Sequence, residues 1–268
     1  MDLGFSGAHV CVQGGSAGMG RAAAEAFARA GASVAILGRT APRLEEAVDR
    51  LRAIGSPDVI AIATDIADRA SVDAAFVEIG TRWPCLNALV NAAGPQTSGQ
   101  AWHAIDDGKW LESFSVGALG AVRCVRAALP LLRAADWARV VNVSAMSVQH
   151  HSPGLADYTA AKAALNSISK NMALELAGEG ILVNIVSPGP VMSDNLRAYV
   201  VQGSNGTVDP DDLIAAGQWL KERFGSTTDL GRVAHPDEVA PAILLAAARA
   251  STFMTGANIN VDGGSHFQ

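Results

Sequence analysis

The feature that most constrains the fold of this chain is a glycine-rich turn near its start. The stretch "HVCVQGGSAGMGRAAAEAFARAGASVAILGR" reads as a strand, a tight turn, a helix and a second strand. Gly14, Gly18 and Gly20 form a Gly-x-x-x-Gly-x-Gly turn between the first strand and its helix. Glycine permits a positive φ and lets the backbone approach a pyrophosphate, while the helix N-terminus offers free N–H groups to an anion. The position of the turn favours a dinucleotide site over a merely tight loop.

The rest of the chain continues this alternation of short apolar runs and longer alanine-rich stretches. The apolar runs are His9–Val12, Val34–Leu37, Val59–Ala63, Leu86–Val90, Val140–Val143, Leu182–Val186 and Ile259–Val261. Helices are predicted between them over Arg21–Ala30, Pro42–Ile54, Ser71–Arg82, Trp110–Ala134 and Tyr158–Ala177. Apolar runs without polar alternation indicate strands that are covered on both faces. We therefore predict a single α/β domain over residues 1–268, a Rossmann fold in which helices flank both faces of a doubly wound parallel sheet of about seven strands.

One segment, Met192–Gly231, departs from this pattern because it is more polar and contains "QGSNGTVDPDD". Long insertions of this kind often cover active sites. The segment is predicted to be a substrate lid within the same domain.

Composition and charge exclude several classes of protein. Hydrophobic residues make up 49% and charged residues 17% of 268 residues, and the formal net charge is −6. Phosphate backbones need a basic face, so nucleic acid is not an expected partner. No uninterrupted apolar run reaches about 18 residues and no signal segment is seen, so no membrane association is expected. The three cysteines show no zinc spacing, which predicts free thiols, no metal site and a cytoplasmic location.

The end of the second strand distinguishes the two nicotinamide coenzymes. An NAD-type site places a carboxylate there, to accept hydrogen bonds from the ribose hydroxyls. This chain has Gly38 and Arg39 instead, and a guanidinium suits a 2′-phosphate. NADP(H) is thus preferred, with NAD(H) still possible and a solvated arginine as the alternative interpretation.

Tyr158 and Lys162 are the candidate acid–base pair. Their (i, i+4) spacing places both side chains on one face of a helix. A lysine ammonium close to the phenol favours tyrosinate, so Tyr158 would act as the general acid or base for a carbonyl or alcohol. The alternative is an ordinary helix with an amphipathic tyrosine and an exposed lysine.

With these residues the sequence resembles the short-chain dehydrogenase/reductase (SDR) family over nearly its whole length. Six segments carry the resemblance in the family's order: the glycine turn, Thr64–Ile66, Asn91–Gly94, Tyr158 with Lys162, Pro188–Val191 with Ser193, and Thr255–Gly264. Gln13 stands where the family usually has threonine, and Ser193 where threonine is commoner.

The resemblance implies roles for individual residues. Asp65 would accept a hydrogen bond from the adenine amino group, and Lys162 would bind the nicotinamide ribose and conduct a proton. The full set of expected coenzyme-binding residues is Gly14, Ser16, Gly18, Met19, Gly20, Arg39, Asp65, Ile66, Asn91, Ala92, Gly94, Tyr158, Lys162, Pro188, Gly189, Val191 and Ser193.

The family's substrate-orienting serine is missing. It lies thirteen residues before the catalytic tyrosine, a position that is Ala145 in this chain. Ser144 should face the opposite side of an extended strand, whereas alternation returns Ser147 to the side of Ala145. Ser147 is therefore the predicted third catalytic residue, with Gln149 as the alternative donor.

A second departure affects the helix before that strand. The family has an asparagine six residues beyond a tryptophan, where it supports a proton relay to the lysine. Gly117 takes that place after Trp110, so the resemblance assigns no residue to the role.

Two functions follow from this combination. The leading hypothesis is an NADP(H)-dependent oxidoreductase that interconverts a carbonyl and a secondary alcohol, with a small-molecule substrate and a homotetrameric or dimeric assembly. The alternative is a dinucleotide-binding sensor or scaffold of the same fold that has little or no turnover.

Overall fold

The computed structural model describes residues 2–225 and 228–265. A seven-stranded sheet organises the fold, and all its strand pairs are parallel. The strands are β1 His9–Gln13, β2 Ser33–Gly38, β3 Val59–Ala63, β4 Ala88–Asn91, β5 Ala138–Val143, β6 Ile181–Pro188 and β7 Asn258–Val261. The prediction of a parallel, doubly wound sheet is confirmed.

The strand order β3-β2-β1-β4-β5-β6-β7 places the reversal of winding between β1 and β4. In an open parallel sheet, ligands bind outside the carboxyl ends of the strands at this switch point. The glycine turn follows β1 and Asn91 ends β4, so both flank the expected crevice.

The described part of the chain forms nine α-helices, and most of them cover the two faces of the sheet. They are α1 Gly18–Arg29, α2 Ala41–Ile54, α3 Arg69–Arg82, α4 Asp107–Phe114, α5 Gly120–Arg133, α6 Ala156–Leu176, α7 Asp194–Gly203, α8 Leu213–Phe224 and α9 Ala240–Ala247. Alternation along β1 shows why both faces need cover. Val10 and Val12 belong to one apolar cluster with residues of α1, α2 and α9, whereas Cys11 belongs to another with residues of α3, α5 and α6.

Helices α4 and α5 are joined by a π-helical turn over Ser115–Leu119, so that together they form one long helical segment. The run Asp107–Arg133 has the length and mean hydropathy, 1.4, to cross a membrane, and 44% of its most apolar window is buried inside the fold. A core helix of a soluble protein meets the same criterion, so this one helix is weak evidence for a membrane segment. Its inner face packs against α3 and α6, which accounts for its apolar composition.

The segment predicted to be a lid contains two helices. Met192, Val200, Ala216, Leu220 and Val233 form an apolar cluster separate from the two clusters on the sheet. Both ends of the segment meet where Val191 pairs with Ala234 in an isolated parallel bridge. The segment therefore has a small core of its own, and its action as a lid stays a prediction.

Candidate active site

The glycine turn has the close packing that the sequence predicts. Gly14 and Gly18 have φ values of +81° and +52°, in the left-handed region that favours glycine. A Cβ atom at position 20 would lie 2.2 Å from the carbonyl oxygen of Gly14, so helix α1 can start this close to the turn only with glycine there. The N-cap residue of α1, Ala17, makes no side-chain capping bond, which leaves the first N–H groups of the helix to a ligand.

Gln13, which the sequence showed only as a departure from the family pattern, connects the glycine turn to the turn after β4. Its Oε1 accepts a hydrogen bond from the backbone N–H of Ala93, 3.1 Å away. A Cβ atom at Gly14 would lie 2.7 Å from the same nitrogen. Gln13 thus fixes the turn after β4 against the turn after β1. The only sequence signal for this role is the glutamine itself, whose side chain is long enough to reach the turn after β4.

The expected adenosine-side residues lie at the carboxyl ends of β2 and β3. Ser16 lies against Gly38, since a Cβ atom there would be 2.9 Å from Ser16 Oγ. Arg39 is exposed directly after β2. Asp65 is also exposed, and its Oδ1 accepts a hydrogen bond from the N–H of Ala67. Ile66 is buried beside it. An exposed guanidinium directly after β2, where the sequence has no carboxylate, fits a phosphorylated ribose.

The segment after β6 approaches the glycine turn from the other side. A Cβ atom at Gly18 would lie 3.8 Å from Ser193 Cβ, and Ser193 Oγ caps α7 by accepting a hydrogen bond from the N–H of Leu196. Gly189 is in tight contact with Asp262. Pro188 ends β6, and Val191 forms the bridge described above.

An ion pair that the sequence did not predict spans the same crevice. Arg43 Nη1, on the first turn of α2, lies 3.1 Å from Asp194 Oδ2 on the first turn of α7, and both side chains are more than half exposed. The pair links the adenosine side of the crevice to the predicted lid. No sequence signal connects two residues so far apart along the chain.

Tyr158 and Lys162 meet at the edge of the crevice. Lys162 Nζ donates a 2.7 Å hydrogen bond to the carbonyl oxygen of Val143 at the end of β5, and lies 6.0 Å from the centre of the Tyr158 ring. A Cβ atom at Gly94 would be 3.2 Å from Lys162 Nζ and 3.9 Å from Tyr158 Cε2. The absence of a side chain at Gly94 leaves room between the turn after β4 and the two candidate residues, Tyr158 and Lys162.

Burial shifts the pKa values of both groups toward their neutral forms. The pKa of Tyr158 is raised to about 12, and the pKa of Lys162, which is only 2% exposed, is lowered to about 8. The sequence argument predicted a lowered tyrosine pKa from the lysine charge. That direction is wrong for the protein alone, because burial of the phenol disfavours the charged tyrosinate. Tyr158 is therefore held protonated, as a proton donor to a carbonyl oxygen must be.

The three residues considered for the substrate-orienting hydroxyl lie in different environments. Ala145 is extended, with φ −158°, and precedes a short 3₁₀ turn that carries Ser147. Ser147 Oγ is buried and accepts a 3.1 Å hydrogen bond from Thr159 Oγ1, the residue next to Tyr158. Ser144 Oγ is buried with no hydrogen-bond partner in the described residues. Ser147, not Ser144, is thus hydrogen-bonded to helix α6, next to Tyr158.

Gly117 lies in the π-helical turn, where the family's asparagine is missing. Neighbouring side chains occupy the space that an asparagine side chain would need. A Cβ atom at Gly117 would lie 2.8 Å from Ala161 Cβ and 3.1 Å from Pro95 Cδ. Ser115, the neighbouring hydroxyl, is committed elsewhere, because both its carbonyl oxygen and its Oγ accept hydrogen bonds from Arg123. Ser115 is thus held in place by Arg123.

Comparison with known proteins decides the family. A family model described as enoyl-(acyl carrier protein) reductase matches residues 14–266. A curated relative, 2,3-dihydro-2,3-dihydroxybenzoate dehydrogenase of Escherichia coli, is 32% identical over 97% of this chain and 98% of its own. The chain belongs to the short-chain dehydrogenase/reductase family. It is an SDR oxidoreductase, as the order of its six motifs predicts.

Two solved SDR structures resemble this one along nearly the full chain. L-sorbose reductase from Gluconobacter frateurii, complexed with NADPH and L-sorbose, is 27% identical, with a TM-score of 0.92 and full coverage of both chains. A short-chain oxidoreductase from Pseudomonas aeruginosa PAO1, described as NADPH-bound and as containing an atypical catalytic center, is 30% identical over 96% of both chains, with a TM-score of 0.86. The SDR fold thus occurs in a relative that is described as containing an atypical catalytic center.

Proposed function

We propose that this SDR protein is an NADP(H)-dependent oxidoreductase that interconverts a carbonyl and a secondary alcohol on a small molecule. The observation that carries the proposal is the placement of Tyr158 and Lys162 beside Gly94, at the carboxyl edge of the sheet and next to the glycine turn. The similar L-sorbose reductase and Pseudomonas oxidoreductase are both described with NADPH, which agrees with an arginine and no acid after β2.

The coenzyme residues of this chain would hold NADP(H) along the crevice, from Arg39 at the ribose phosphate to Lys162 at the nicotinamide ribose. When bound, NADPH supplies a hydride to the carbonyl carbon. Tyr158 then donates its phenolic proton to the carbonyl oxygen, which completes the alcohol, and the tyrosinate regains a proton through Lys162. In the reverse direction the tyrosinate accepts the proton of the alcohol.

Ser147 is proposed to orient the substrate oxygen in place of Ala145. Thr159 Oγ1 donates to Ser147 Oγ, so the hydroxyl proton of Ser147 is left to donate elsewhere. A donor held in advance of the reaction is what a developing oxyanion requires. Gln149 stays the alternative donor, since its Oε1 accepts a hydrogen bond from Asn260 and this bond does not use its Nε2 hydrogens.

The segment Met192–Gly231 is proposed to be the substrate lid, and a cytoplasmic homotetramer or dimer stays a prediction. Support for the lid comes from its contacts. Asp194 pairs with Arg43 across the crevice, and Asn195 Oδ1 accepts a 3.4 Å hydrogen bond from Gln96. Both contacts tie the start of α7 to loops at the carboxyl edge.

Tyr158→Phe tests the proposal most directly. It removes the transferred proton and keeps the ring, so turnover on a responsive carbonyl substrate should fall by at least about 100-fold while NADPH binding is retained. The exposed Tyr199→Phe, in the lid, is the matched control for loss of a phenol. Unchanged turnover in Tyr158→Phe would remove Tyr158 from the mechanism.

The alternative, a dinucleotide-binding sensor with little turnover, draws support from Ala145 and Gly117. It predicts tight NADPH binding without hydride transfer across a broad panel of carbonyls and alcohols. Ala145→Ser separates the two functions on the same panel, because a gain of activity from nothing indicates a disabled site, whereas an active parent protein excludes that interpretation.

A further inference from the structure

The residue immediately before the catalytic tyrosine is a buried carboxylate. Asp157 lies on the first turn of α6 and is 1% exposed. Its Oδ2 accepts hydrogen bonds from Ser113 Oγ at 2.9 Å and from the backbone N–H of Ser98 at 3.1 Å. Its Oδ1 lies 3.3 Å from the hydroxyls of Ser98 and Thr97. A buried charge is tolerated only when hydrogen bonds compensate for the loss of water, and here every donor is neutral.

Asp157 thereby connects three parts of the fold that meet at the active site. Ser113 belongs to α4, whereas Thr97 and Ser98 belong to the loop over residues 95–100, which we call the anchored loop. The contact is reinforced beside the carboxylate, because Thr97 Oγ1 donates a 2.6 Å hydrogen bond to the carbonyl oxygen of Gly154. Backbone N–H groups inside the loop bond to its own hydroxyls, Gly99 to Thr97 and Gln100 to Ser98.

The anchored loop forms one side of the space next to Tyr158. It begins directly after Gly94, where a Cβ atom would be 3.9 Å from the Tyr158 ring. Its next residue, Pro95, packs on Gly117, and Gln96 reaches Asn195 at the start of the lid. A loop that runs from the coenzyme turn to the lid in this way borders any substrate presented to Tyr158.

We propose that Asp157 is a positioning residue for substrate recognition: it fixes the anchored loop to the helix that carries Tyr158, so that the substrate wall and the proton donor keep one relative position. This role rests on the proposed oxidoreductase function. Asp157 touches no reacting atom in this account, and acts only through Thr97 and Ser98.

The test combines steady-state kinetics with hydrogen exchange. Asp157→Ala removes every acceptor, and Asp157→Asn keeps the shape but has one acceptor oxygen instead of two. We expect Asp157→Ala to raise KM for the carbonyl substrate by about 10-fold or more, the range expected for lost hydrogen bonds to a charge, with kcat and the Kd for NADPH changed by less than about threefold. Asp157→Asn, the variant more certain to fold, should change KM in the same direction by less. In both variants the amides of residues 98–100 should exchange faster.

Two further variants separate positioning from general stability. Ser113→Ala removes only the bond to α4, so it should leave exchange at residues 98–100 as in the parent protein, and Asp107→Asn controls for loss of an exposed charge. The proposal would be overturned if the Asp157 variants contained less active protein but kept the KM and the amide exchange at residues 98–100 of the parent protein. Equal loop exchange in Ser113→Ala and Asp157→Asn would do the same. A parent protein without turnover refutes the proposed function instead, and the exchange measurement then still decides whether Asp157 holds the loop.

Discussion

Gly117 and Ala161 are in contact where the π-helical turn crosses α6, so closely that a Cβ atom at Gly117 would lie 2.8 Å from the Ala161 Cβ. Ala161 is next to Lys162, and Pro95 closes the other side of the same contact. The departure from the family asparagine is therefore not an isolated change. The surrounding residues have filled the volume that a longer side chain would need.

This contact predicts that restoring the asparagine will harm the protein. Gly117→Asn should lower the free energy of unfolding by about 1–3 kcal/mol, the usual cost of overpacking, and should not increase turnover. Gly117→Ala should lower the free energy of unfolding by less than Gly117→Asn does, because alanine adds only the Cβ atom. Urea unfolding measures both changes.

Gly80→Ala is the matched control, because Gly80 is also helical but a Cβ there would be 3.6 Å from Leu131 Cδ2, an ordinary contact. It should stabilise the protein by up to about 1 kcal/mol through helix propensity. A Gly117→Asn protein as stable as the parent would show that Pro95 and Ala161 yield easily.

Lys162 predicts that stability rises with pH in the alkaline range. Burial lowers its pKa to about 8, whereas a lysine in the unfolded chain titrates near 10.4. Between these values the unfolded chain holds the proton and the folded protein does not, so the free energy of unfolding increases with pH. Above pH 10, Tyr158 lowers the free energy of unfolding as pH rises. Its pKa is about 12 in the folded protein and near 10 in the unfolded chain, so the unfolded chain loses the proton first.

Lys162→Met should abolish the rise between pH 8 and 10 and should be more stable than the parent at pH 7, by on the order of 3 kcal/mol. Urea unfolding of coenzyme-free protein at several pH values gives the comparison. Lys170→Met, an exposed lysine two turns further along α6, should keep the slope of the parent. Parallel pH profiles for Lys162→Met and the parent would contradict the lowered pKa.

Ser147 predicts a selective loss of turnover. Ser147→Ala removes the proposed donor to the substrate oxygen, so kcat should fall by about 10²–10³ while NADPH binding stays the same. Ser144→Ala deletes a neighbouring buried hydroxyl that has no hydrogen-bond partner in the described residues, and should leave kcat within about twofold and stability equal or higher. If both variants retain full turnover, Ser147 is not the orienting group.

Arg39 predicts the coenzyme preference. Arg39→Ser should weaken NADPH binding by about 10-fold or more and leave NADH binding nearly unchanged, since only NADPH carries the 2′-phosphate. Added salt should weaken NADPH binding to the parent more than to the variant, because the exposed charge pair is screened. Arg52→Ser, at the far end of α2, serves as the control for lost charge, and titration of the coenzyme fluorescence measures each Kd.

Most of the fold was predictable because the strands are buried on both faces. Each apolar run overlaps a strand of the sheet, and β3 matches its run, Val59–Ala63, at both ends. The two helices inside the insertion, α7 and α8, were not predicted. The apolar residues of α7 and α8 pack mainly on each other, so their sequence looks like a polar insertion.

The candidate site also has a part that the sequence predicts and a part that only the fold defines. Tyr158, Lys162 and the glycine turn were accessible from the sequence because their spacing within one element already states their geometry. Asp157 and Arg43 were not, because their partners, Ser98 and Asp194, come from distant segments whose approach only the fold defines. The predicted decrease of the Tyr158 pKa was wrong for a related reason. Sequence spacing indicates that a charge is nearby, but it does not indicate how deeply the phenol is buried.

The bridge between Val191 and Ala234 has a consequence for how this chain can change. Because Val191 and Ala234 are paired, the chain between them leaves and returns at neighbouring points, and Asp194 and Asn195 add further contacts with the rest of the fold. Grafting a different segment between these two residues should alter what the crevice admits and leave the proposed proton donor, Tyr158, in place. The bridge would thus make the proposed lid a replaceable part of the chain.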